Sequence, residues 1–195
     1  MLIRAYAKLN LSLDICGIRE DGYHLLDSVF QSISVYDKVA VAKSDRPGIG
    51  LACHPAPGGV NIAQRAAELF YEACQKPPAA DIRIEKYIPF ESGLAGGSAD
   101  AAATLWGLNE LYGNPLGEIQ MYAIALRLGA DVPFALQGGT CRVTGVGEGL
   151  ERLALKTPIH YVILNPNIGI STPEVYRLYD ANPNVARPNT DAAID

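Results

Sequence analysis

The hydrophobic pattern at the start of the chain alternates with period two, which is typical of a strand with one buried face. The apolar members of this alternation are Leu9, Leu11, Leu13 and Ile15. Lys8 therefore shares the polar face with Asn10 and Ser12. The Asp-Gly pair in "REDGYH" (Arg19–His24) predicts a turn, so the chain is expected to double back into a second β segment, "ISVYDKVAV".

Helical spacing appears in the next segment and predicts an α-helix with Asn61 near its start and Pro77-Pro78 after its end. The residues that carry this spacing are Val60, Ala63, Ala67, Phe70, Tyr71 and Cys74. A strand is then predicted around Ile82, Ile84 and Ile88. Lys86 falls on the same face as these isoleucines, where an aliphatic residue is expected.

Two further helices are predicted in the middle of the chain, one ending before Asn114-Pro115 and one ending at Gly129. Their apolar positions are Ala101, Leu105, Leu108 and Leu111 for the first, and Leu116, Ile119, Ala123 and Leu126 for the second. Short strands are predicted in "TCRVTG" and "HYVILN", and the Pro- and Asn-rich tail is expected to form little structure.

Composition excludes several classes of function. The 195 residues are 49% hydrophobic and 19% charged, with 16 basic and 21 acidic side chains, so neither nucleic acid nor an anionic membrane is an expected partner. No apolar run approaches the roughly 18 residues of a membrane span, and the N-terminus lacks a secretion signal, which predicts a cytoplasmic protein. The scattered cysteines (Cys16, Cys53, Cys74 and Cys141) indicate reduced thiols rather than a zinc site.

The segment "GLAGGSADAAA" (Gly93–Ala103) leads from a proline-containing stretch into a helix. It is neither a Walker A loop nor a G-x-G-x-x-G turn. A glycine-rich entry to a helix can bind phosphate, because free backbone N–H groups and the positive end of the helix dipole point to one place. The alternative is a tight strand-to-helix turn with Ser98 as its N-cap.

Two charged residues have both a chemical and a structural interpretation. Asp131 in "LGADVPFAL" lies two residues after Gly129 and two before Pro133, so it is either an acid for chemistry or the cap of a short helix. Lys8 is either a functional cation or a solvated strand lysine.

Taken together, four segments in order resemble the GHMP small-molecule kinases over essentially the whole chain. They are "AYAKLNLSLDICGIREDGYHLLDSVFQSI", "KYIPFESGLAGGSADAAATLWGLNELYG", "LGADVPFALQGGTCRVTGVGEGLE" and "NPNIGISTPEVY". The resemblance implies an α+β fold with two domains. Residues 1–150 would form an N-terminal domain like the second domain of ribosomal protein S5, and residues 151–195 the start of an incomplete, ferredoxin-like C-terminal domain.

The resemblance also implies a reaction. "AKLNLSL", "DGYH" and "GADVPF" together are most similar to a family member that uses ATP and Mg²⁺ in non-mevalonate isoprenoid synthesis. That enzyme phosphorylates the tertiary 2-hydroxyl of a small molecule, methylerythritol linked to cytidine diphosphate. Another GHMP kinase, acting on mevalonate, homoserine or a sugar, is an alternative, although "DGYH" suits a substrate with a base. A non-catalytic nucleotide-binding module is a third interpretation.

Site residues follow from the same resemblance. Asp131 matches the base near the acceptor hydroxyl, and Lys8 matches the cation that pairs with it and with the transferred phosphate. The substrate positions are Asn10, Tyr23 and His24, with Phe30, Val146 and Thr172 lining the same pocket. Asn61 and Lys86 match positions near adenosine. The triphosphate cradle comprises Gly93, Leu94, Ala95, Gly96, Gly97 and Ser98, and Ser98 also helps to place Mg²⁺.

The chain departs from the family pattern at two places. Glu91-Ser92 stands where small residues are common, and a carboxylate beside a triphosphate would repel it unless it points away. Family members also continue well beyond residue 195, with a region that completes the second domain. We therefore expect weak or no activity from these 195 residues alone.

Overall fold

The computed structural model describes residues 1–56, 61–155, 157–166, 168–169, 171–182 and 186–194. Within these ranges the chain forms six strands, five α-helices and one 3-10 helix, Asp191–Ala193. The strands are β1 (Leu2–Ile18), β2 (His24–Lys43), β3 (Gly48–His54), β4 (Ala79–Glu85), β5 (Thr140–Gly145) and β6 (Gly149–Leu153). The helices are α1 (Ile62–Cys74), α2 (Gly96–Leu111), α3 (Glu118–Leu128), α4 (Val132–Gln137) and α5 (Thr172–Asp180).

The long strand β2 organises the sheet. It forms an antiparallel hairpin with β1, and the predicted turn is confirmed by Gly22 at a φ of 87°. On its other side, Leu26–Gln31 of β2 pair with β5, while Lys38–Lys43 pair with β4. β3 runs parallel to β4, and β6 antiparallel to β5. A single strand thus connects both arms of the sheet, in the order β3-β4-β2-β5-β6.

The register of the β1–β2 hairpin shifts between Tyr6 and Lys8, and again between Asn10 and Ser12. Lys8 and Asn10 therefore lie between two irregularities. Bulges of this kind bend a strand and redirect its side chains, and they are frequent beside functional sites.

The main core lies between the sheet and helices α1 to α4. Helix α2 is the central helix, and small residues let it approach the sheet closely. A Cβ at Gly107 would lie only 2.8 Å from Ile3 Cδ1 and 3.1 Å from Val41 Cγ2. This packing fixes the N-terminus of α2 relative to β1 and β2. None of the described helices is long and apolar enough to cross a bilayer.

The apolar face predicted for α3 is not the face that the helix buries. The helix ends at Leu128 beside Gly129 as expected, but Ile119 is 87% exposed and the buried residues are Met121, Ile124 and Ala125. Periodicity alone did not separate two overlapping apolar stripes, and packing against α1, α2 and α4 selected one of them.

A second correction concerns "HYVILN". Residues 160–165 form no strand, and Val162 and Leu164 are 92% and 90% exposed. A strand needs a neighbouring strand for its backbone groups, and none of the described strands pairs with residues 160–165. The sequence did not predict β3, β6 or α5. β6 continues the sheet to Leu153, and the domain boundary at residue 150 stays a prediction.

Candidate active site

Lys8 is a buried cation at the middle of β1. Its side chain is 8% exposed, and Nζ lies 2.7 Å from Asn10 Oδ1 and 3.6 Å from Asp131 Oδ1. Burial lowers the pKa of Lys8, and the Asp131 charge opposes this effect. The alternative of a solvated strand lysine is therefore wrong, and the two residues predicted to carry the chemistry lie together.

Asp131 occupies the N-cap position of α4, but its side chain makes no capping hydrogen bond. Pro133 in the first turn of this helix lacks an N–H group, so fewer donors require a cap. The carboxylate instead faces Lys8 and is about one-third exposed, at 32%. The interpretation of Asp131 as a capping residue is thus not supported, and a ligand can reach the carboxylate.

The aromatic ring of Phe30 packs against the Lys8 ammonium. The Lys8 ammonium lies 4.3 Å from the centre of the Phe30 ring, which packs edge-on against Phe134 at 5.3 Å between ring centres. Phe30 is only 3% exposed. It therefore offers little surface to a substrate, and its role in lining the substrate pocket stays a prediction.

The glycine-rich segment presents unpaired backbone donors. Gly93 and Ala95 have φ values of 73° and 57°, and α2 begins directly afterwards. The hydrogen-bond ladder starts with the Ala99 N–H donating to the Ala95 carbonyl at 2.9 Å. The N–H groups of Gly96, Gly97 and Ser98 precede this bond and have no intrahelical partner, as at any helix N-terminus.

The same segment is attached to the strand that carries the lysine. Leu94 is buried, and its carbonyl accepts a hydrogen bond from the Lys8 N–H at 3.1 Å. Ser98 lies in the first turn of α2 and does not cap it, because Ala95 occupies the cap position without a side-chain bond. The Ser98 N-cap alternative is therefore wrong. The cation and the free donors lie on directly bonded segments.

Glu91 precedes the loop with a φ of 51° and is exposed. Its carboxylate lies against Gly169, where an added Cβ would collide with Oε2. The carboxylate thus packs against Gly169.

Lys86 is held inside the protein by two carboxylates. Its Nζ lies 2.5 Å from Asp37 Oδ2 and 2.6 Å from Asp100 Oδ2, and its side chain is 4% exposed. Asp37 also accepts hydrogen bonds from the N–H groups of Tyr87 (2.5 Å) and Ile88 (2.8 Å). Burial raises the pKa of Asp100 to about 7 against the opposing charge of Lys86. The ammonium predicted to approach adenosine is engaged internally.

A cavity of about 480 Å³ lies at the ends of β3 and β4, lined by residues 52–55 and 83–87. The Lys86 N–H at its edge donates to the His54 carbonyl at 2.9 Å. Asn61, the other residue predicted near adenosine, caps α1 by accepting a hydrogen bond from the Ala63 N–H at 2.9 Å. The cap explains why an asparagine stands at this position.

The predicted base-binding pair, Tyr23 and His24, lies at the β1–β2 turn. Tyr23 is 63% exposed, with the Arg19 guanidinium 5.6 Å from its ring centre. His24 contacts α5: its ring stacks on Tyr176 at 4.4 Å with an interplanar angle of 14°, and Nε2 lies 2.8 Å from Asp180 Oδ1.

Tyr176 of α5 stacks on His24. Burial raises the pKa of Tyr176, and the charge of Asp131 makes a smaller contribution in the same direction.

Val146 follows β5, beyond the pairing of Gly145 with Leu26, which places it near the start of β2. The adjacent Gly147 packs against Ala130, because a Cβ there would lie 2.8 Å from the Ala130 carbonyl oxygen. The turn after β5 thus lies beside both the His24 end of β2 and Asp131. Thr172 begins α5, but its side chain lies outside the described part of the structure.

Sequence reasoning missed four site residues: Asp37, Asp100, Tyr176 and Asp180. The sequence pattern could have indicated Asp37, because it alternates with Val39 and Val41 on the buried face of β2. Lys86 likewise lies on the face of the isoleucines that precede the loop. Opposite charges at core positions of two predicted strands favour a buried pair. The two residues of α5 had no such signal, because the helix itself was not predicted.

Comparison with known proteins gives this site its class. Residues 61–139 match the family model described as the GHMP kinases N terminal domain. The chain has the fold of a GHMP kinase, and in this fold a glycine-rich helix entry is bonded to the strand that carries the Lys8–Asp131 pair.

The relatives narrow the class further. The chain is 47% identical to the 4-diphosphocytidyl-2-C-methyl-D-erythritol kinase of Desulfitobacterium hafniense (strain Y51), over 90% of this chain and 60% of that protein. It is 40% identical to the protein of that name from Clostridium novyi (strain NT), over 100% and 70%. A crystal structure of 4-(cytidine 5'-diphospho)-2C-methyl-D-erythritol kinase aligns at a TM-score of 0.85 with 38% identity, over 100% and 70%.

The chain belongs to the 4-diphosphocytidyl-2-C-methyl-D-erythritol kinase family, and it spans 60% to 70% of the length of these relatives. The predicted α+β fold and the predicted family of small-molecule kinases are confirmed.

Proposed function

We propose that the protein transfers the γ-phosphoryl group of ATP to the tertiary 2-hydroxyl of 4-diphosphocytidyl-2-C-methyl-D-erythritol, a step of non-mevalonate isoprenoid synthesis. The observation that carries this proposal is the arrangement of Lys8. Its ammonium lies 3.6 Å from Asp131, and its own N–H donates to the glycine-rich loop. The relatives with this name support the choice of acceptor.

The residues would divide the work of phosphoryl transfer as follows. Asp131 accepts the proton of the acceptor hydroxyl while the oxygen–phosphorus bond forms and the bond to the ADP oxygen breaks. Lys8 lies close enough to Asp131 to stabilise charge on the transferred group. Positioning and charge stabilisation are the main demands of this reaction. A base, a cation and backbone donors therefore form a sufficient set.

The loop suits a triphosphate and a magnesium ion. The N–H groups of Gly96, Gly97 and Ser98 lie at a helix N-terminus, where anions bind well. The described residues contain no group of three or more side chains of the kind that hold a metal. Mg²⁺ commonly relies on phosphate oxygens and water, so the Ser98 hydroxyl and the nucleotide could hold it.

The two ends of the substrates would bind at separate places. The cavity at the ends of β3 and β4 is lined by Lys86 and Tyr87, which lead into the loop, and it supports an adenosine site there. The exposed Tyr23 ring is free to stack on a base. The His24 ring N–H already donates to the Asp180 carboxylate, and a hydrogen bond to the edge of a cytosine would replace it. We also place the reaction in the cytosol, in keeping with four unpaired cysteine thiols.

Calorimetric titration of the chain tests the acceptor. We expect binding of 4-diphosphocytidyl-2-C-methyl-D-erythritol, and no measurable binding of mevalonate or homoserine at the same concentrations. Equal binding of mevalonate would contradict the assignment and favour another GHMP kinase.

A further inference from the structure

Lys86 lies where a nucleotide-contacting cation would be expected, but its ammonium is turned inward. The side chain is 4% exposed and bonded to two carboxylates, themselves 0% and 3% exposed. A ligand could reach Nζ only by displacing one of these partners. The two carboxylates therefore neutralise the charge of Lys86 within the protein, and any effect of this lysine on a ligand must be indirect.

The three charged residues of this cluster come from both ends of the glycine-rich loop and from the central strand of the sheet. Lys86 itself stands at the entry to the loop, directly after β4, and Asp100 stands at its exit, in the second turn of α2. Asp37 belongs to the central strand β2 and also bonds the backbone of Tyr87 and Ile88, which lead into the loop. One ammonium thus ties both ends of the loop to the middle of the sheet.

The first residue of α2 packs directly on this cluster. A Cβ at Gly96 would lie 3.2 Å from Lys86 Nζ and 2.9 Å from Ile88 Cγ2. The glycine is therefore required for close packing on Lys86 and Ile88, in addition to any approach of phosphate. The direction of the Gly96 and Gly97 N–H groups depends on how this contact is held.

We propose that Lys86, with Asp37 and Asp100, is a positioning residue that holds the glycine-rich loop in its phosphate-binding shape, and that its ammonium does not contact the nucleoside. This inference rests on the proposed nucleotide binding. A positioning role and a direct adenosine contact predict different changes in nucleotide affinity. Loss of the cluster weakens binding in proportion to the number of phosphates, whereas loss of an adenosine contact weakens every adenine nucleotide equally.

The test compares the affinities of AMP, ADP and Mg-ATP for the whole chain by calorimetry. In Lys86→Met we expect ATP affinity to fall about tenfold to a hundredfold while AMP affinity changes little. Lys86→Met leaves two carboxylates without their cation and could prevent folding. Lys86→Met with Asp100→Leu removes one charge of each sign and leaves Asp37 with its backbone bonds, and the same expectation applies.

One further variant serves as a control for the ratio of ATP to AMP affinity. Lys38→Met removes an exposed lysine one residue from Asp37, paired with Glu85 at 3.5 Å, and should leave the ratio unchanged. Equal weakening of AMP and ATP in the Lys86 variants would overturn the proposal.

If the unmodified chain binds no adenine nucleotide, the proposed function fails, and amide hydrogen exchange then decides the role of Lys86. We expect the amides of Lys8 and Ala99, which donate to the loop carbonyls of Leu94 and Ala95, to exchange faster in the double variant, with the amides of α1 unchanged. Unchanged exchange at these two amides would overturn the positioning role.

Discussion

Replacing Asp131 with Asn removes the proposed base with little change in shape. The carboxylate makes no helix-capping bond, and Lys8 keeps its hydrogen bond to Asn10, so most of the local structure remains. At 3.6 Å the attraction of the two charges is about 4 to 5 kcal/mol at an effective dielectric constant of about 20. Desolvation of Lys8 offsets most of it, and we expect a net loss of about 1 to 2 kcal/mol in folding stability.

The loss in rate should be much larger than this loss in stability. A positioned general base contributes about 10²- to 10⁴-fold, which corresponds to about 3 to 5 kcal/mol in the activation free energy. The assay is ADP release from Mg-ATP with the cytidylated alcohol, using this chain extended with the C-terminal region of the Clostridium novyi relative. Calorimetry on the same variant should show unchanged ATP affinity.

Asp45→Asn is the matched control, because it makes the same chemical change at an exposed position after β2. It should leave turnover unchanged. Turnover of Asp131→Asn within about threefold of the unmodified protein, well below the usual contribution of a base, would refute the assignment.

Three other perturbations have definite expected results. Gly96→Ala should lower the melting temperature by several degrees and Gly97→Ala should not, because an added Cβ meets a side-chain atom at 2.9 Å in the first case and at 3.7 Å in the second; equal melting temperatures would contradict the packing. Tyr23→Ala should weaken calorimetric binding of the cytidylated alcohol and spare ATP, and unchanged acceptor affinity would exclude the stacking role. Arg187 lowers the pKa of Asp14, so this stabilisation is present above about pH 4 and is lost as pH falls through the lower folded value. The melting difference between Arg187→Ala and the unmodified chain should therefore shrink between pH 7 and pH 2, and a constant difference would count against the pair.

Local patterns predicted much of the framework, because each depends on neighbours in sequence. Period-two alternation in β1 and the Asp-Gly turn produced the hairpin, and Gly129 marked the end of α3. Two predictions were wrong for a shared reason: the apolar face assigned to α3, and the strand in "HYVILN". Which face is buried, and whether an extended segment finds a partner, depends on distant parts of the chain.

In the candidate site, too, some features are visible in the local sequence and others depend on the fold. Lys8 and Asp131 are 123 positions apart in sequence, so only the family resemblance related them before their 3.6 Å separation was known. Lys86 stood out on an isoleucine face, but its partner Asp37 comes from a strand 49 positions earlier. An anomalous residue can be recognised locally, whereas the group that explains it is supplied by the fold.

The most direct test of the central claim is ADP release from Mg-ATP with four acceptors, measured for this chain and for the chain extended to family length. The acceptors are 4-diphosphocytidyl-2-C-methyl-D-erythritol, mevalonate, homoserine and galactose. We predict turnover of the cytidylated alcohol alone by the extended chain, and little or none by the 195 residues themselves. Failure of the extended chain to phosphorylate that alcohol, or comparable turnover of any other acceptor, would contradict the proposed function.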